Sequence, residues 1–351
     1  MKSLKGISVF EKYLTLWVLA CMAIGILIGR YLGFIPAFLE RFTYAEISIP
    51  ISILIWFMIY PMMLKVDFTS IKNVRKEPKG LYITWVVNWV IKPFSMFIVA
   101  AFFFFVIFRS LISEELARQY LAGAVILGAA PCTAMVFVWS HLTKGNPAYT
   151  VVQVATNNII LLFLFAPIVA LLIGFTGVLE TVGIILPLDT LIISVVLFVV
   201  IPLTLGILTR TQLIKRKGEA FFNQKFLPKF KHLTVIGLLL TLILIFSFQY
   251  EVILNNPLHI ILISIPLMIQ TFFIFFVAYL AAKKLRLSHD IAAPAGMIGA
   301  SNFFELAVAV AIALFGATSP VALATTVGII VEVPVMLFLV YLANKTKHWF
   351  S

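Results

Sequence analysis

Apolar positions in this chain come in long unbroken runs. They show neither the alternation of a half-buried strand nor the one-sided stripe of a surface helix. Leu, Ile, Val, Phe and Ala fill block after block, and short polar or basic segments separate them. About 20 such residues in a helix cross roughly 30 Å of hydrocarbon and satisfy their backbone hydrogen bonds internally. Ten segments of this kind are predicted, at 14–35, 47–65, 80–108, 118–142, 149–174, 183–209, 231–250, 257–282, 291–315 and 320–343. The third is longer than a span needs and is expected to tilt or project beyond the bilayer. The fold class read from this pattern is an all-α polytopic membrane protein, one transmembrane domain over residues 1–351.

Two segments are interrupted. In the fourth, Gly128-Ala-Ala-Pro-Cys-Thr-Ala-Met135 places a helix breaker, Pro131, directly before Cys132. In the ninth, Gly299-Ala-Ser-Asn-Phe-Phe-Glu-Leu306 brings Ser301, Asn302 and the ionisable Glu305 together. Broken apolar segments at corresponding places in two halves point to a transporter's binding site. The halves echo one another: AVILGAAPCTAM then GNP in the first, AGMIGASNFFEL then GATSP in the second. Their starts echo too, in Gly25-Ile-Leu-Ile-Gly-Arg30 and Gly206-Ile-Leu-Thr-Arg210. Residues 1–178 and 179–351 each hold five predicted spans, an odd number, so the second repeat is expected to be inverted.

Composition agrees with a membrane protein. The chain is 62% hydrophobic and 11% charged, with mean hydropathy +1.11, whereas soluble domains carry about 25% charged residues. The net charge of +12 suggests nucleic acid until its distribution is read. Of the Lys and Arg residues, 21 fall on one predicted side and four on the other, with Lys92 inside the third segment. That asymmetry is a topology signal. It places both termini in the cytoplasm of a cell-membrane protein and gives no support for a nucleic-acid partner. Lys215-Arg-Lys217 reads as a solvated loop that can touch anionic lipid. Met1–Lys12 is short and basic, and the run behind it is long enough to remain as a span, so no cleaved signal peptide is expected. Cys21 and Cys132 both lie in apolar runs, which argues against a disulfide framework or a cysteine-rich metal site.

Each candidate residue has a plainer reading beside the functional one. If Pro131 restarts a helix, Cys132 falls in its first turn, where the dipole favours a thiolate; apolar burial opposes this. The plain alternative is a small buried hydrophobe, which is the reading given to Cys21. Glu305 at membrane depth costs about 2.5–3.5 kcal/mol. Asn302 and Glu305 have capping-box spacing, and a capped half-helix can still line a cavity. Glu332 raises the same desolvation question, with a structural hydrogen bond as the competitor. Lys92 either snorkels to the surface or pairs with Glu305 or Glu332, and pairing is favoured. Asn88, Asn157 and Asn158 are amides that line a site or link helices, Asn157 being the better site candidate. Trp139 lies two turns beyond Cys132 if the helix is continuous, and an interfacial anchor is its plain alternative. There is no phosphate-binding loop, no HExxH and no Gly-x-Ser-x-Gly, so an enzyme is not expected and no cofactor is implied.

The chain resembles the arsenical-resistance efflux permeases of the bile-acid/arsenite/riboflavin transporter superfamily. The matching stretches are Tyr60-Pro-Met-Met-Leu-Lys-Val-Asp67, Asn88-Trp-Val-Ile-Lys-Pro93, Gly128–Met135, Ala300-Ser-Asn-Phe-Phe-Glu305 and Val331-Glu-Val-Pro334. The resemblance implies a panel domain of spans 1, 2, 6 and 7 and a core domain of spans 3–5 and 8–10, with broken spans 4 and 9 crossing. It implies export of arsenite, in some members antimonite, in exchange for protons. Cys132 would be the soft ligand for arsenic as a metalloid and Glu305 the proton-coupling group. Asn302, Asn157, Asn88 and Trp139 would line the substrate site, and Glu332 would share in proton coupling. The bilayer is the other expected partner; the oligomeric state is not legible. Two alternatives stay open: a sodium-coupled organic-anion symporter using Asn157, Asn302 and Glu332 as oxygen ligands, and a non-transporting sensor or structural subunit.

Overall fold

In the computed structural model, helices lie on all ten apolar segments, and two of the ten are in two pieces. The structure describes residues 14–44, 47–65, 78–132, 135–182, 188–255 and 257–350. The basic amino-terminal tail, the loop 66–77, residues 183–187, and Thr133 and Ala134 of the first interruption lie outside the described residues.

The long elements are α1 Leu14–Tyr31, α2 Ile49–Lys65, α3 Pro78–Ile107, α4 Glu114–Gly128, α5 Val136–Leu142 and α6 Pro147–Thr176. They continue with α7 Asp189–Lys217, α8 Lys231–Phe248, α9 Pro257–Lys284, α10 His289–Ala300, α11 Phe304–Phe315 and α12 Pro320–Lys345. A two-residue antiparallel pairing, Thr43–Tyr44 with Ile47–Ser48, precedes α2. Among the described residues, five helices, α3, α6, α7, α9 and α12, are long and apolar enough to cross a bilayer by themselves. One face of α3 exposes Tyr82, Val86, Val90, Phe94, Ile98 and Phe102 at intervals of four residues. A contiguous apolar stripe of that length belongs against lipid. The protein is a multi-pass membrane protein.

Local chemistry sets the helix ends. At α6, Asn146 Oδ1 accepts the N–H groups of Ala148 and Tyr149, Pro147 takes the first position, and Gly177 ends the helix at φ 68°. At α12, Ser319 caps Ala322 N–H and Pro320 follows. Two interior turns widen just before a proline. Lys92 N–H reaches back to Val87 O ahead of Pro93, and Ile201 N–H to Val196 O ahead of Pro202. A proline ring crowds the carbonyl four residues back, and a wider turn relieves that clash.

Two helix groups emerge from the packing. α8 packs on α1 and α2, and α2 on α7. In the other group α9 packs on α10, α12 and α3, α4 packs on α12, α3 and α6, and α11 lies on α12. Small residues permit the closest approaches, as is usual between membrane helices. A Cβ at Gly25 would lie 2.6 Å from Ile243 O, and one at Gly123 would lie 2.4 Å from Val321 O. Within the second group α10 and α11 are buried along nearly their whole length.

Candidate functional site

Both interruptions exist, and they pair with each other. α4 ends at Gly128 and α10 at Ala300, and the backbone becomes extended at Pro131 and at Ser301. Pro131 and Asn302 form an antiparallel bridge: Phe303 N–H donates to Ala130 O at 2.9 Å, and Cys132 N–H to Ser301 O at 3.3 Å. Backbone groups exposed by breaking two helices inside hydrocarbon thus satisfy one another. α3 spans both breaks. A Cβ on Gly128 would sit 2.7 Å from Met96 Cβ, and one on Gly299 would sit 3.2 Å from Val87 Cγ1.

Lys92 sits between those two contacts, fully buried, with its Nζ donating to Ser301 O at 2.5 Å. The Ser301 hydroxyl donates to Glu332 Oε1, and Asn302 N–H donates to the same oxygen at 3.3 Å. Lys92, Ser301 and Glu332 therefore form one buried relay across the break. The expected pairing of Lys92 with a carboxylate is indirect. Among the described residues no ion pair within 4.0 Å joins them, and Ser301 stands between. Snorkelling is excluded, because Lys92 has no exposed surface.

Glu305 is buried in the first turn of α11. Its Oε2 has no hydrogen-bond partner among the described residues. The capping box is not formed. The residue before α11 is Phe303, which makes no side-chain cap, while Asn302 is held extended by the bridge with Oδ1 unpartnered. The bridge claims the backbone that capping would have used. For the same reason Pro131 does not restart a helix. It is extended, helical structure resumes at Val136, and Cys132 stands before that helix instead of in its first turn. The dipole argument for a thiolate there does not apply. Cys132 is 1% exposed and is not in a disulfide.

Trp139 is not an interfacial anchor. It is buried in α5, with Nε1 unpartnered. It does not share a continuous helix with Cys132, since α5 begins after the break. Asn88 lies in the widened turn of α3, fully buried, with both amide atoms unpartnered. Asn157 links helices, its Oδ1 accepting Trp89 Nε1–H at 3.1 Å. Its neighbour Asn158 has both amide atoms buried and unpartnered, which makes it at least as strong a lining candidate. Buried polar atoms in folded proteins nearly always have partners. Among the described residues, such unpartnered atoms recur at both breaks and the helices against them: Asn302 Oδ1, Glu305 Oε2, Glu332 Oε2, Asn88 and Trp139. A polar, hydroxylated solute would satisfy these groups.

Sequence reasoning gave Ser301 no individual role and gave Lys92 a carboxylate partner in place of the Ser301 carbonyl. The signal for Ser301 was its place at the second break. The signal for Lys92 was a cation at mid-segment next to a proline. No group of three or more His, Cys, Asp or Glu suited to a metal ion occurs among the described residues.

The profile of the sodium bile acid symporter family matches residues 52–256. Over 346 residues the chain is 63% identical to the arsenical-resistance protein Acr3 of Alkaliphilus metalliredigens, covering 99% of this chain and 95% of that one. It is 34% identical to the arsenical-resistance protein Acr3 of Corynebacterium glutamicum, covering 95% and 89%. It is 46% identical to an uncharacterized transporter of Synechocystis, covering 98% and 91%.

Proposed function

The chain belongs to the sodium bile acid symporter family and, within it, to the Acr3-type arsenical-resistance proteins, and on that premise we propose that it exports arsenite across the cell membrane in exchange for protons. It is a transporter and not an enzyme. The observation that carries the reading is one buried thiol, Cys132, bonded through its backbone to Ser301 where two broken helices cross, with Glu305 and Glu332 buried beside it.

Trivalent arsenic is thiophilic, so a sulfur ligand suits it. Near neutral pH arsenite is the uncharged trihydroxide. The Cys132 thiol displaces one hydroxyl, an arsenic–sulfur bond forms, and the thiol proton leaves with that hydroxyl as water. Arsenic stays trivalent throughout. One thiol holds the metalloid reversibly, whereas three would retain it. The remaining hydroxyls meet Asn302, Asn157, Asn88 and Trp139, and Asn158 joins this set. Antimonite has the same valence and sulfur affinity and is included as a substrate.

Glu305 carries the coupled proton, and Glu332, tied to the bridge by Ser301, tunes the same crossing. Inward proton movement gains about 2.3 kcal/mol per 100 mV. Ten spans in two inverted repeats, residues 1–178 and 179–351, give the moving parts. The α1, α2, α7 and α8 group acts as the panel and the remaining helices as the core, which carries the crossing past it. Both termini face the cytoplasm, as the 21-to-four charge bias argues.

Glu305→Gln tests the coupling. Gln keeps the size of the side chain and cannot exchange a proton near neutral pH. In everted vesicles driven by an imposed pH gradient, the variant should bind arsenite and fail to accumulate it. Accumulation at the wild-type rate would remove Glu305 from the mechanism.

A further inference from the structure

The family's name carries sodium, and transporters with broken helices hold their coupling cations on unwound backbone carbonyls. The corresponding carbonyl on the second break of this chain is Ser301 O. It already accepts two hydrogen bonds, from Lys92 Nζ at 2.5 Å and from Cys132 N–H at 3.3 Å. Lys92 has no exposed surface, and among the described residues it is the one Lys or Arg that is buried. A second cation at the same carbonyl would meet an ammonium at contact distance and be repelled. At Ser301, then, the donor set does not fit a sodium ion.

We infer that Lys92 is a built-in cation, tethered to α3, which takes the place at the Ser301 carbonyl that a mobile sodium ion would fill, so that this chain transports without sodium. Three features of its setting suit that role. The wide turn at Val87–Ile91 and Pro93 fix the backbone on either side of Lys92. Its carbonyl is itself engaged, by Ser95 Oγ at 3.0 Å and Gln270 Nε2 at 3.5 Å. The ammonium touches the backbone of the break and leaves Asn302 Oδ1, Glu305 Oε2 and Glu332 Oε2 for the solute and the proton. A tethered charge cannot be released, so it contributes to holding the crossing together and nothing to the driving force.

The test uses the full-length protein in liposomes, with arsenite flux and thermal melting as separate readouts. Sodium salts are compared with salts of N-methylglucamine, a cation too bulky for the break. Wild-type flux and melting temperature should be the same in both. Lys92→Ala should lose roughly ten- to a hundredfold in flux, the value of one charge-assisted hydrogen bond. Sodium or methylammonium should restore part of that flux and raise the variant's melting temperature. Sodium-stimulated flux or melting of the wild type overturns the inference. So does a Lys92→Ala protein that transports at full rate without sodium, or one that folds and is rescued by neither cation. If Lys92→Ala does not fold, the wild-type comparison decides. The inference rests on the transport reading for its flux readout alone. Absent arsenite flux in the wild type counts against that reading, while the melting readout still tests the built-in cation.

Discussion

The two breaks reach the same extended geometry by different chemistry. At Ala129–Cys132 the chain is apolar and small, and Pro131 removes a donor and bars the helix. At Ser301–Phe303 no proline is present. There the helix is ended by polar capture, with the Ser301 hydroxyl and Asn302 N–H both held by Glu332 and Ser301 O held by Lys92. The first break is encoded by its own sequence. The second depends on partners 30 residues downstream and 209 upstream. A locally encoded break tolerates changes elsewhere. One held by distant partners can be loosened from a distance, and it sits where Glu305 and Glu332 are buried.

Removing Glu332 should have the largest structural effect. Glu332→Ala takes the acceptor from Ser301 and Asn302. A cost of roughly 3–5 kcal/mol is expected, because two hydrogen bonds to a buried carboxylate are lost, each about 1.5–3 kcal/mol. It should appear as a large fall in melting temperature of the solubilised protein. A small fall would show that the second break is also locally encoded.

Ser301→Ala comes next. It removes one hydrogen bond to a carboxylate, about 1.5–3 kcal/mol, and keeps the carbonyl that Lys92 holds. Asn302→Ala is the contrasting change. Its side-chain oxygen has no partner, so stability should fall by less than about 1 kcal/mol. Arsenite transport should nevertheless drop. Equal destabilisation by the two substitutions would erase the distinction between the residue that holds the break and the residue that faces the solute.

This division explains what was legible in the sequence. Both interruptions, the ten apolar segments and the buried carboxylates followed from hydropathy and from polar residues in apolar runs. The conformation within each break did not. Pro131 and Asn302 look like a helix start and a helix cap when each is read within its own segment. They become a bridge because each finds the other across 171 residues. Capping and restart rules describe a backbone without a competing partner, and here there is one. The burial of Trp139 in α5 was hidden for a related reason. Its surroundings come from where the break turns the chain, which spacing from Cys132 does not reveal.

The claim most exposed to disproof is that sulfur at the crossing carries arsenic. Cys132→Ser and Cys21→Ser each remove one buried thiol, and neither cysteine is in a disulfide. Arsenite efflux from cells expressing each variant, at matched membrane abundance, separates the two positions. Cys132→Ser should abolish efflux, because oxygen does not replace a soft ligand for arsenic. Cys21→Ser should retain it, since Cys21 lies within the uninterrupted helix α1. Efflux by Cys132→Ser equal to that of Cys21→Ser would contradict the account.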